Sequence, residues 1–193
     1  MKQPSRPSRP KTSRWHTLRS RTNRALLHFI REASQATIET VDLYSFFLNY
    51  QRAIARQGFI YARELKQIHD AQDLKRRLRE LKRQRFIEAR KIGERIEFGL
   101  TDQGAITMHL DKLRSNKGAG KIATIIIFDV PESQRFIRER FRLLIKQAGF
   151  KKLQQSVWML QGDSYESVKE LIQFLKAEKW VSVMRTSDLA HIK

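Results

Sequence analysis

Residues 121–160 decide the fold of this chain, and they read KIATIIIFDVPESQRFIRERFRLLIKQAGFKKLQQSVWML. A continuous apolar run, residues 122–128, ends at Asp129, and Pro131 closes the strand because proline has no N–H for the ladder. Apolar residues then recur at helical spacing until Gly149, which is typical of a helix that ends in glycine. The predicted buried face of this helix comprises Phe136, Ile137, Phe141, Leu144, Ile145 and Ala148.

The residues after Gly149 continue the same unit. Two short strands are predicted at 150–154 and 156–161, followed by a helix at 165–177 and a last strand at 180–185. The resulting order, β-α-β-β-α-β, is that of a ferredoxin-like domain.

Composition limits what the protein can bind. The chain has 193 residues, a formal net charge of +19 and no cysteine. Such a charge favours a polyanionic partner, nucleic acid first and an anionic membrane surface second. Disulfides and thiolate metal sites are excluded. No apolar run is as long as a membrane span and no apolar segment follows the basic N-terminus, so we expect a cytoplasmic protein without a membrane association.

The chain before residue 121 divides into three predicted parts. Residues 1–14 are rich in Pro, Ser, Arg and Lys, and we expect a disordered basic arm that either follows a phosphate backbone or serves as a solubilising tail. Residues 15–114 form a DNA-binding domain that starts with helices at 15–33, 40–57 and 61–68. Residues 115–120 are a flexible linker.

A cationic helix is predicted at residues 71–84. Asp70 is placed to cap it, and Asp73 could return the bond in the manner of a capping box. Its apolar residues form one narrow stripe, which would anchor the helix while its other faces meet DNA. The stripe consists of Leu74, Leu78 and Leu81, and the other faces hold Gln72, Lys75, Arg76, Arg77, Arg79, Lys82 and Arg83.

A β-hairpin is predicted directly after this helix. Residues 86–90 and 95–100 alternate as strands, and 91–94 form the turn between them. Helix, helix and basic hairpin in this order indicate a winged helix-turn-helix, and Thr101 would cap a following helix that reaches residue 114. The alternative is a basic helix and hairpin that are merely solvated on the surface of a globular domain.

Three motifs of the C-terminal part resemble a known domain: Phe128-Asp129-Val130-Pro131-Glu132, Gly149-Phe150 and, at 153–158, LQQSVW. They are similar to the ferredoxin-like domain shared by the CRISPR-associated nuclease subunit Cas2 and the PaaX-type transcriptional regulators. The latter place such a domain behind a winged helix, so the resemblance implies an α+β protein with a winged helix-turn-helix at 15–114 and a dimerising ferredoxin-like domain at 121–193. The further domain and the coenzyme A thioester of PaaX-type regulators are not carried over.

Asp129 is the one candidate for metal chemistry. The resemblance to Cas2 nucleases implies that this aspartate would bind a divalent ion, Mg²⁺ or Mn²⁺, across a dimer. The alternative, which we favour, is that Asp129 caps the following helix. We therefore expect no cofactor and no catalytic residue, with a metal-dependent endonuclease as the alternative.

Taken together, the sequence predicts a transcriptional regulator, a repressor that binds double-stranded DNA as a homodimer. Two alternatives stay open: a Cas2-like nuclease or CRISPR integration subunit, and a non-specific nucleic-acid-binding protein. The expected DNA contacts are Gln72, Lys75, Arg76 and Arg79 in the groove, and Arg83, Lys91 and Arg95 at phosphates.

Overall fold

The computed structural model of the protein describes residues 18, 20–33, 43–56, 58–59, 61–92, 95–115 and 121–187. The predicted basic arm (1–14) and most of the predicted linker (116–120) lie outside these residues. The first elements are helices α1 (Arg21–Ala33), α2 (Leu43–Arg56), α3 (Ala62–Leu65) and α4 (Ala71–Arg83), strands β1 (Ile87–Ile92) and β2 (Arg95–Leu100), and helix α5 (Asp102–Ser115). Then follow β3 (Ala123–Phe128), a 3₁₀ turn (Glu132–Gln134), α6 (Arg135–Ala148), β4 (Lys151–Gln154), β5 (Val157–Gln161), α7 (Tyr165–Phe174) and β6 (Val181–Thr186).

The strands form two antiparallel sheets, which makes the protein a member of the α+β class. Strands β1 and β2 form a hairpin, and the other four strands form one sheet in the order β4-β5-β3-β6. With α6 and α7 in their places, the chain from β3 to β6 follows the predicted β-α-β-β-α-β order.

The two faces of the four-stranded sheet differ in their surroundings. Alternate residues of a strand point to opposite faces, and one set is buried beneath α6 and α7 in a hydrophobic core: Ile126, Phe128, Trp158, Leu160 and Val181. Five apolar residues in the middle of the other set are partly or fully exposed, and we call them the open sheet face: Ile125, Ile127, Val157, Met159 and Met184.

Helix α6 confirms one prediction and corrects another. Gly149 ends the helix in the left-handed conformation, with φ at 96°. Phe136, however, was expected on the buried face and is 69% exposed. At 100° per residue, Phe136 lies about 140° around the helix from the buried Phe141, so the two share no face.

Strand β4 is an edge strand of the four-stranded sheet. It begins with Lys151 and Lys152, both exposed. Its pairing with β5 shifts register between Lys152 and Gln154. The edge is therefore both charged and irregular.

Helix α5 contributes to both hydrophobic cores of the protein. Met108 belongs to the first core, with side chains from α1, α2, α4 and the residues around them. Ile106, Leu110 and Leu113 belong to the second core, beneath the four-stranded sheet. The predicted domain boundary after residue 114 remains a prediction, but α5 physically connects the two parts.

The start of α5 fits closely against the base of the β1–β2 hairpin. The N–H of Gly104 donates to Thr101 Oγ1 at 3.1 Å, as the predicted N-cap requires. The N–H of Thr101 donates to the Phe86 carbonyl at 3.1 Å. A Cβ at Gly104 would lie 2.1 Å from that same carbonyl oxygen.

We therefore expect Gly104→Ala to destabilise the protein by about 2 kcal/mol or more, because backbone must move to admit the methyl group. Urea unfolding followed by circular dichroism measures this. The control is Gly99→Ala, whose Cβ would make ordinary contacts of 3.7 Å with the flexible Glu88 side chain. Equal stability of the two variants would contradict the proposed close fit.

A cavity of about 470 Å³ lies between α1 and α5. His28 borders this cavity, stacks on Tyr61 with ring centroids 4.4 Å apart, and has a buried Nε2 without a hydrogen-bond partner among the described residues. Burial lowers the pKa of His28 to about 4, and the positive charges of Arg31 and Arg24 act in the same direction. The imidazole is therefore neutral in the folded protein at neutral pH. The lining residues include His28, Arg31, Glu32, Tyr61, Met108, His109 and Lys112.

The lowered pKa of His28 predicts a loss of stability in mild acid. The unfolded chain binds more protons than the folded one between pH 6.5 and about 4. The free energy of unfolding is therefore highest above pH 6.5 with respect to this group, and it decreases as the pH falls toward 4. Between pH 7 and 4.5 the loss amounts to about 2 kcal/mol. His28→Phe keeps the ring and removes the titration, so its free energy of unfolding should fall less over this range. Identical pH slopes in urea titrations of the two proteins would contradict this assignment.

Candidate nucleic-acid interface

Helix α4 begins at an aspartate cap. Asp70 is the N-cap residue, and its Oδ1 accepts a hydrogen bond from the Asp73 N–H at 2.7 Å. The expected return bond is absent among the described residues, because the Asp73 carboxylate instead accepts hydrogen bonds from Arg76 and Arg77. Burial would raise the pKa of Asp73, but the hydrogen bonds from these two guanidinium groups lower it overall.

The predicted leucine stripe anchors the helix. Leu74, Leu78 and Leu81 are 2%, 6% and 0% exposed and belong to the first hydrophobic core. This leaves the opposite side of α4 facing solvent.

The solvent side of α4 is polar and mostly cationic. Gln72, Arg76, Arg79 and Arg83 are all exposed, and their spacing of four, three and four residues places them on one face. Lys75 and Lys82 are exposed beside them. The helix carries six cationic and two acidic residues, a net charge of +4.

The arginines of this face are themselves exposed, and the contacts that the described residues give them are close to the surface. Arg76 pairs with Asp73, and Arg83 makes a two-pronged pair with Glu80 at 3.0 and 2.8 Å. Arg79 Nε donates to the Lys75 carbonyl at 3.3 Å. Exposed ion pairs are weak, so the guanidinium groups can exchange these partners for phosphates or base edges.

Arg77 differs from the other arginines of α4 and was missed as a structural residue. Its side chain is 17% exposed. Arg77 Nε donates to Asp73 Oδ2 and Nη1 donates to Asn23 Oδ1 of α1, each at 2.9 Å. Its position three residues after Leu74, beside the stripe, is the signal that could have separated it from the outward cations.

The hairpin carries the remaining predicted contacts. Lys91 and Ile92 were predicted in the turn but belong to β1, and Ile92 pairs with Arg95 of β2. Lys91 is exposed near the end of β1. Arg90 pairs with Glu88 at 2.8 Å. The backbone thus puts Lys91 and Arg95 close to the tip of the hairpin.

Asp129 is exposed after β3, and its N–H donates to the Trp180 carbonyl at 2.9 Å. The prediction that it caps a helix is wrong. The 3₁₀ turn has the extended Pro131 at its N-cap position and no side-chain cap bond, so Asp129 lies two residues too early. Among the described residues, no group of three or more His, Asp or Glu side chains could hold a metal ion. Metal binding by Asp129 stays a prediction.

The fold of the C-terminal unit, from β3 to β6, indicates its structural class. Its four-stranded antiparallel sheet, with two helices on one face and the strand order given above, is ferredoxin-like.

Residues 124–193 match the family model of the PaaX protein central Cas2-like domain. The match confirms the resemblance read from the sequence: this part of the chain is similar to the central Cas2-like domain of PaaX proteins. No curated protein and no solved structure matches the chain. Among the described residues, no helix has both the length and the apolar character needed to cross a membrane.

Proposed function

We propose that the protein is a PaaX-type transcriptional regulator that binds double-stranded DNA as a homodimer and represses transcription. The observation that carries the proposal is the exposed cationic face of α4, which lies opposite a buried leucine stripe. A helix anchored in this way can enter the major groove without giving up its packing. Occupation of a site that overlaps a promoter is sufficient for repression.

In this proposal α3, α4 and the β1–β2 hairpin act as a winged helix-turn-helix. Gln72, Lys75, Arg76 and Arg79 lie on the first three turns of α4 and contact base edges, with Gln72 suited to adenine and arginine to guanine. Arg83 follows at the end of the helix, and Lys91 and Arg95 lie on the wing; these three contact phosphates. The family match supports a DNA-binding role, and the charge of +19 favours it.

Replacing both Arg76 and Arg79 by alanine should weaken DNA binding by about 10- to 100-fold, because two cationic contacts are lost. Both side chains are exposed, so the melting temperature should stay close to that of the wild type. The measurement is fluorescence anisotropy with a duplex selected from random sequences by the wild-type protein.

The control for this experiment is Arg135→Ala, which removes an exposed, ion-paired arginine from α6. It should bind the selected duplex as the wild type does. Wild-type affinity of the double variant would contradict the role of α4. Failure to select any preferred sequence, together with a steep salt dependence, would support a non-specific binder instead.

The open sheet face supports the homodimer. Ile127 is 37% exposed and Met184 is 42% exposed, and they lie among Ile125, Val157 and Met159 on one face of the sheet. Apolar patches on soluble proteins commonly mark interfaces, and two such faces can pack as a sandwich. A second copy of the chain fits best, because the middle of this face is apolar on both copies and can pack without burying a charge, with Lys151 of the edge strand β4 at its border, opposite Met159.

Introducing charge on this face should dissociate the dimer. We expect Ile127→Lys plus Met184→Lys to convert a dimer into a monomer in sedimentation equilibrium, because buried unpaired lysines are costly. Phe136→Lys is the matched control, since Phe136 is exposed on the helical side of the same unit. A monomeric wild type, or dissociation by the control alone, would contradict the proposed interface.

A further inference from the structure

Asp111 occupies an unusual position for a carboxylate. It lies on α5, between the two hydrophobic cores, and its side chain is 3% exposed. Arg24 Nε of α1 lies 2.9 Å from Asp111 Oδ2, so the two groups form an ion pair. The geometry of these two atoms is not that of a hydrogen bond. Arg24 itself is fixed by a second contact, because its Nη2 donates to the Leu18 carbonyl at 2.9 Å.

The contacts continue from Asp111 into the ferredoxin-like unit. Arg114 Nη1 lies 3.7 Å from Asp111 Oδ1, and Arg114 Nε donates to the Gln147 carbonyl near the end of α6 at 3.0 Å. Because Leu110 and Leu113 are buried in the second core, α5 is held firmly on this side.

The contacts also continue from α1 to α4. Asn23 precedes Arg24 in the chain, and its Oδ1 accepts the hydrogen bond from Arg77 described above. Polar contacts on either side of the neighbouring residues Asn23 and Arg24 of α1 therefore connect the cationic helix to the sheet unit. The residues involved are Arg77, Asn23, Arg24, Asp111 and Arg114.

This ion pair is better suited to fixing the orientation of α1 relative to α5 than to raising the free energy of unfolding. Burial raises the pKa of Asp111, although Arg24 and Arg114 act in the opposite direction, so desolvation offsets much of the attraction. The cavity between α1 and α5 leaves their packing incomplete on one side. Among the described residues, the Arg24–Asp111 pair is a direct side-chain contact between these two helices.

We propose that the Arg24–Asp111 pair fixes the orientation of α4 relative to the ferredoxin-like unit and thereby sets the half-site spacing that the dimer accepts. The proposal rests on the proposed function, binding of duplex DNA as a dimer. A spacing change of 2 base pairs rotates one half-site by about 70° relative to the other, so a rigid junction accepts one spacing and a loose junction accepts several.

The test uses the full chain with Arg24→Met plus Asp111→Leu, an apolar pair that leaves neither charge buried alone. The matched control is Arg135→Met plus Glu139→Leu, which removes an exposed ion pair from α6. Affinity is measured for duplexes whose two half-sites are moved apart by 0, 2 and 4 base pairs, and for a single half-site. We expect the wild type and the control to prefer the best spacing by about 30-fold, and the test variant by less than about threefold, with single half-site affinity unchanged.

A second measurement reports on the junction without DNA. Because the chain has no cysteine, spin labels can be attached specifically through Lys82→Cys and Lys169→Cys, at two exposed positions on α4 and α7. The distribution of distances between the labels should broaden in the test variant and not in the control.

Broadening of both the distances and the accepted spacings supports the proposal. A change in only one of them, or in neither, overturns it, as does loss of folding by the test variant in circular dichroism. A wild type that binds no duplex, or that is monomeric, instead refutes the proposed function itself, so the two failures are distinguishable.

Discussion

Packing of one helix into two cores is the constraint on which the rest of the structure depends. Helix α5 has Met108 in the core formed with α1, α2 and α4, and Ile106, Leu110 and Leu113 in the core beneath the four-stranded sheet. Its N-terminus contacts the base of the hairpin so closely that only glycine fits at position 104. Because α5 packs against both parts of the molecule, it fixes the position of one part relative to the other.

The charge of the protein is arranged around this apolar frame. The leucine stripe of α4 is buried, so the arginines on the opposite side need no buried partner and stay in solvent. The open sheet face shows the reverse arrangement, with isoleucine, valine and methionine side chains exposed in its middle. The exposed cationic side of α4 and the apolar middle of the open sheet face are the two surfaces on which the proposed function, binding of a polyanion as a dimer, depends.

Local patterns in the sequence predicted most of the fold. The apolar run before Asp129, the glycine at 149 and the leucine stripe each depend on neighbours within a turn or a strand, and the structure has each of them as expected. The errors have physical reasons. Phe136 was predicted on the buried face of α6, but its angular position on the helix excludes this. Asp129 was predicted to cap the following helix, but the N-cap position of the 3₁₀ turn is Pro131, two residues later.

The contacts that organise the candidate site were less accessible from sequence. Arg77 could have been distinguished by its angle on the helix, but its partner Asn23 is 54 residues away. The pairing of Asp111 with Arg24 likewise joins distant parts of the chain. No periodicity or spacing encodes such pairs, because they exist only after two separate elements pack together.

The irregular, lysine-bearing strand β4 has a consequence for solubility. Unpaired strand edges readily recruit further strands and can lead to fibres. Lysines at 151 and 152 and the shift in register beyond them make this border a poor template for another chain. Addition of further strands at the β4 edge is therefore disfavoured. Amyloid-like association through this edge is disfavoured even in a concentrated solution of the protein.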